Sequence, residues 1–152
     1  MLRTRSCRTA SLVMVFTAIL GVALTASADD HPVPIRGHVD EVLISATPEP
    51  DGLHITAAGE GNATHLGRFT SIENAVVQTD GTARATVVLT AANGDQLFWS
   101  DVARPTSATT AAGTITFTGG TGRFENASGT AHFEFVVTPD GGTITFEGTI
   151  RF

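Results

Sequence analysis

TITFEGTIRF, residues 143–152, alternates apolar and polar side chains without a break. Ile144, Phe146, Ile150 and Phe152 share one face with Gly148, while Thr143, Thr145, Glu147, Thr149 and Arg151 share the other. A period of two is that of a β-strand with one face buried. A one-residue slip in its pairing would turn every Phe and Ile to water, so the register is strongly specified. The scheme recurs upstream. In GTAHFEFVVT (129–138), Ala131, Phe133, Phe135 and Val137 oppose His132 and Glu134. In TARATVVLTA (82–91), Ala83, Ala85, Val87 and Leu89 oppose Arg84, Thr86 and Thr90.

Further out, the same reading yields eight strands, at about 35–46, 53–60, 63–78, 82–91, 95–103, 113–118, 129–138 and 143–152. Turn signals separate them: TPEPDG (47–52), Gly61-Asn62, Asp80-Gly81, Asn93-Gly94 and Pro139 to Gly142. Asp-Gly and Asn-Gly are the strongest hairpin dipeptides, because both residues tolerate the positive φ of a tight turn. No window of ten or more residues after the first 28 keeps a helical period. Eight sequential strands with short links predict an all-β, antiparallel up-and-down barrel over residues 35–152. Closure removes the two exposed edges of an open meander. Eight strands give an interior that side chains just fill, or that holds one small ligand. A two-sheet sandwich is the alternative, since strand spacing alone does not separate the two.

Residues 1–28 read as a signal peptide. Arg3, Arg5 and Arg8 precede the apolar run Leu12 to Leu24, and Ala26-Ser27-Ala28 supplies the small-x-small pattern of a cleavage site. The run is shorter than the ~20 residues of a spanning helix. A secreted or periplasmic barrel is therefore expected, with no membrane association after cleavage and residues 29–34 as a flexible leader. The chain carries 9 Lys+Arg, all of them Arg, against 15 Asp+Glu. Three of the Arg lie in the first 28 residues, as does Cys7, the one Cys. The remainder is strongly acidic, which argues against a nucleic-acid partner. It also has no thiol, so no disulfide staples it.

The stretch TFTGGTGRFENASGTAHF (116–133) resembles allene oxide cyclase-like and dirigent-like barrels, where a strand is followed by G-G-T-G-x-F, then Ala, then Gly, then a strand. GNATHLGRFT (61–70) and TAANGDQLF (90–98) are similar to stretches of small exported bacterial proteins grouped with that barrel. The resemblance implies the same eight-stranded barrel. For the block itself it implies a structural turn, with Gly119, Gly120, Gly122 and Gly129 permitting a sharp reversal and Phe124 folding back as an apolar plug. It carries no catalytic residue across. A basic residue usual in dirigent-like proteins is here Ser128, and the chain has no Tyr for the polar and aromatic cavity of the plant cyclases.

Catalytic chemistry finds little footing in the residue pattern. The Gly-rich block lacks the P-loop Lys and a following helix. His31, His38, His54, His65 and His132 form no local zinc signature, so neither a metal nor a cofactor is expected; His54 and His65 could meet only if their strands pair suitably. There is no G-x-S-x-G, and Asp40-Glu41 point to opposite faces of one strand. The N-x-Ser/Thr patterns at Asn62 and Asn126 are read as coincidental. His65, Asp95 and Trp99 are the candidate ligand-binding residues. Asp95 and Asp101 flank Trp99 and could frame a polar pocket mouth. The leading expectation is an exported, non-enzymatic barrel binding a small apolar ligand. The alternatives are an isomerase of the allene oxide cyclase type, or a dirigent-like or protein-interaction module.

Overall fold

The computed structural model describes residues 31–152. The signal-peptide reading and residues 29 and 30 lie outside the described residues. Eight strands follow in chain order: β1 (Val33–Glu49), β2 (Gly52–Ala63), β3 (Gly67–Val77), β4 (Ala83–Ala91), β5 (Gln96–Pro105), β6 (Thr110–Gly120), β7 (Ser128–Thr138) and β8 (Gly141–Arg151). One 3-10 turn, Gly122–Phe124, lies between β6 and β7. Every strand pairs antiparallel with its sequence neighbours, and β1 pairs with β8 to close the barrel. Val39 stands opposite Ile144 and Val33 opposite Ile150 in the closing pair. The two-sheet alternative is thereby excluded, since no strand has a free edge.

The hairpin dipeptides act as their chemistry requires. At Asn93-Gly94 the glycine has φ +89°, and the Ala91 N–H donates to the Asp95 carbonyl at 2.9 Å. Gly61-Asn62, by contrast, is not a turn, and the expected break there is corrected: β2 runs on to Ala63 and reverses at Thr64–Leu66. Gly61 is a packing hole instead. A Cβ on it would strike the His38 carbonyl and come within 2.6 Å of the Phe69 ring. β1 also starts at Val33, two residues before the expected boundary, and bulges between Leu43 and Ser45.

Odd-numbered side chains on β1 to β7 point inward; the β7–β8 pairing sets odd against even positions, so on β8 Ile144, Phe146 and Ile150 face the core. The interior is graded along its axis. Large residues fill the end that holds the β2–β3, β4–β5 and β6–β7 connections: Trp99 packs edge-on to Phe117 and Phe146, at centroid distances of 6.3 and 5.4 Å. Leu66, Phe69, Leu97 and Phe124 complete that plug. Burial of each such side chain contributes about 1.5–3 kcal/mol. Toward the opposite end the inward row is Ala57, Ala75, Ala85 and Ala103. Methyl groups cannot fill a barrel of this width, so that half of the lumen stays open.

Candidate functional site

The open half is a chamber of about 490 Å³, bordered by the β3–β4 turn, the β5–β6 loop and the β7–β8 turn. Its wall is mostly aliphatic and aromatic, with Ile55, Val77, Phe133, Phe135 and Ile144 among the contributors. Into this wall three strands each insert one acid: Glu41 from β1, Glu73 from β3 and Asp101 from β5. Small neighbours make room for them. Glu41 stands opposite Gly59 and Gly142, Glu73 opposite Ala57, and Asp101 opposite Ala85. Among the described residues no Arg or His lines the chamber.

Burial sets the electrostatics of the trio. Taking a carboxylate out of water disfavours its charged form, so each pKa rises. Glu73 is pushed up to about 8 by desolvation, then by the neighbouring charges of Glu41 and Asp101. Glu41 is pushed up to about 7, again mainly by burial, and is partly relieved by its hydrogen bond to Glu73. That bond favours the proton on Glu73, and the two groups titrate as a pair. Burial likewise raises Asp101 to about 6, opposed by the Trp99 Nε1–H, which donates to its Oδ2 at 3.0 Å. Glu41 is only 6% exposed and its Oε1 has no hydrogen-bond partner. Ser71, 2% exposed and one inward position before Glu73, also has an unpartnered hydroxyl. Buried polar atoms are ordinarily paired; Glu41 lines the chamber, so its orphan oxygen marks a place where a ligand's polar group fits, whereas the Ser71 hydroxyl lies outside the lining, against Gly59.

The residues expected from the sequence fall elsewhere. His65 occupies the β2–β3 turn with φ +69°, its Nε2 is 3.0 Å from the Pro34 carbonyl, and its ring lies 5.3 Å from that of Phe152. Asp95 lies in the β4–β5 turn, where it accepts from Asn93 at 2.9 Å and sits 3.6 Å from Arg123 Nε. Both belong to the plugged end. They meet through one chain of contacts: Arg123 covers the Phe124 ring at 4.8 Å, and Phe124 packs on Phe152 at 5.2 Å. Trp99 is buried in the lumen and reaches the chamber only through Asp101. In the Gly-rich block Gly119, Gly122 and Gly129 have φ of +120°, +57° and +136°, Gly120 does not, and Phe124 is fully buried. A Cβ on Gly120 would strike the Gln96 carbonyl.

His54 and His65 do not meet, because His54 pairs opposite Val76 at the other end of β2 and bonds Asp51 at 2.8 Å. A second depression, of about 770 Å³, lies on the outer face among His38, His132, Glu134 and Glu147. It is open and polar, and all four residues are exposed or half-exposed. Among the described residues no group of three or more His, Asp or Glu is placed to hold a metal ion.

No family model and no curated protein matches the chain. Solved structures do. The pterocarpan synthase dirigent protein GePTS1 aligns at a TM-score of 0.55 and 14% identity, over 89% of this chain and 98% of its own. The pterocarpan synthase dirigent protein PsPTS1 aligns at 0.52 and 15%, over 80% and 94%. At such identity the likeness is one of backbone, and it agrees with the strand order and closure described above: the chain has the eight-stranded barrel fold of dirigent proteins.

Proposed function

We propose that this is an exported barrel that binds a small, predominantly apolar molecule in its open half. The chamber between Ala57, Ala85 and Phe133 carries the reading, because a cavity of about 490 Å³ lies within the ordinary range for small-ligand sites and its wall is mainly carbon. The plugged end makes it a one-mouthed cup. Export is inferred from the Arg-rich, apolar and small-residue pattern of residues 1–28. The test is titration with an apolar fluorescent dye, followed by Ala85→Phe, which puts a ring into the chamber. Dye binding is expected for the wild type and its loss for A85F with the fold retained. Unchanged binding in A85F would place the dye elsewhere and overturn the reading.

A second reading is favoured by the acid trio. A carboxyl that keeps its proton at neutral pH inside a mainly apolar chamber can lend it to a bound substrate, as an isomerase or cyclase requires. Glu73, with the highest of the three pKa values, is the donor in that case. Glu73→Gln would then abolish turnover of a substrate while sparing its binding.

A further inference from the structure

The polar end of the chamber is chemically one-sided. Three acids converge on it, from alternate strands, and among the described residues nothing of the opposite sign faces them. β1 offers Glu41, β3 offers Glu73, β5 offers Asp101, and Asp140 stands at the mouth in the β7–β8 turn. β2, β4, β6, β7 and β8 present no titratable group to the chamber. Arg84, on β4, has the opposite parity to Ala83 and Ala85 and points outward. The Trp99 Nε1–H is already committed to Asp101 Oδ2 at 3.0 Å.

This set excludes whole ligand classes. A carboxylate or phosphate would meet three acids and no cation. A metal ion has no group of ligands in place among the described residues. A neutral alcohol can donate to Glu41 Oε1 but brings no charge to offset the ionised members of the trio. An ammonium group brings three donors and the missing charge on a compact head. Resting on the reading of the chamber as an apolar-ligand site, we propose that the barrel selects a small apolar amine, whose ammonium sits against Glu41, Glu73 and Asp101 and donates to the unpartnered Glu41 Oε1.

One consequence separates this from plain apolar binding. Burial without a counter-ion among the described residues keeps a proton on Glu73, raised to about 8, and in part on Glu41, raised to about 7, at neutral pH, while Asp101, raised to about 6, is largely ionised. A cation entering the chamber supplies that counter-ion, so carboxyl protons leave to the solvent as the amine binds. The hydrogen bonds formed are N–H to carboxylate oxygen, and no covalent bond changes.

The test titrates the protein with two probes of one shape, naphthylmethylamine and naphthylmethanol, by calorimetry near neutral pH in buffers of differing ionisation enthalpy. The amine is expected to bind at least about 10-fold more tightly and to release about one proton per site. In the double variant Glu41→Gln/Glu73→Gln the amine should lose about that factor and its proton release, while the alcohol binds as before. Equal affinity for the two probes, or amine binding without proton release, overturns the amine assignment and leaves the apolar-ligand reading standing. If neither probe binds the wild type, the apolar-ligand reading falls and takes the assignment with it.

Discussion

Replacing Glu73 by Gln should flatten the dependence of stability on pH, and in the direction opposite to ordinary acid denaturation. A carboxyl whose folded pKa lies above its unfolded value binds more protons in the native state between those two values. Stability is then full below the unfolded pKa and falls as pH rises toward the folded one. Glu73 moves from 4.5 to about 8, and Glu41 from 4.5 to about 7. Each unit of displacement is worth about 1.4 kcal/mol. Between pH 5 and pH 8 Glu73 alone would cost up to about 4 kcal/mol. Because the two groups titrate as one coupled pair, the expected loss is bounded from below, at about 2 kcal/mol or more. For a domain of this size that corresponds to a Tm lower by about 5–10 °C at pH 8 than at pH 5. Gln cannot ionise, yet it still offers an N–H to Glu41, so Glu73→Gln should remove at least half of this slope and be the more stable protein at pH 8. Asp51 and Asp80 do not confuse the measurement. Asp51 is held low by its bond to His54 and Asp80 by the Thr82 N–H, so their contributions disappear only as pH falls below the ordinary carboxylate range. Thermal unfolding followed by circular dichroism at fixed ionic strength is the assay. A wild-type Tm that rises from pH 5 to pH 8, or a variant that keeps the wild-type slope, refutes the buried-pair argument.

Other substitutions probe the remaining parts. Trp99→Phe removes the donor to Asp101 as well as a ring edge, and should cost about 2–4 kcal/mol by urea unfolding; the penalty should be larger at pH 8 than at pH 5, because Asp101, raised to about 6, is ionised only in the first case. Phe124→Ala empties the plug at a fully buried site and should cost about 3–5 kcal/mol, read as a shift of the urea midpoint without change of slope. Ile72→Thr lies on the outer face at 46% exposure and should leave stability within about 0.5 kcal/mol and dye affinity unchanged, which a wild-type binding isotherm confirms.

The barrel was legible because its signal is carried by many residues at once. Alternation in TITFEGTIRF and TARATVVLTA gives strands, Asn93-Gly94 and Asp80-Gly81 give hairpins, and eight strands without edge protection ask for closure. Boundaries failed where glycine serves two purposes. Gly61 and the Gly141-Gly142 pair look like turn residues, yet each stands in a strand where a neighbour fills the place of its side chain: Phe69 against Gly61, Phe135 against Gly142. Glycine as space and glycine as hinge have the same letter, and only the partner across the sheet distinguishes them.

The candidate site was hidden by the same alternation that exposed the fold. Read pairwise, Asp40 and Glu41 diverge, and the structure agrees: Asp40 turns outward to accept from Thr143 at 2.8 Å while Glu41 turns in. The trio is assembled instead across strands, with β2 between Glu41 and Glu73 and β4 between Glu73 and Asp101. No local spacing encodes it. A weaker signal was nevertheless present, since Glu73 falls on the parity of Phe69 and Ala75, and Asp101 on that of Leu97, Trp99 and Ala103. An acid on the buried parity of an otherwise apolar strand breaks the local rule at a desolvation cost of several kcal/mol. One such break could be a surface kink. Three on alternate strands, each with a glycine or alanine opposite it on at least one side, do not improve packing, and they put the departure from good core design inside the chamber, where a ligand could offset it.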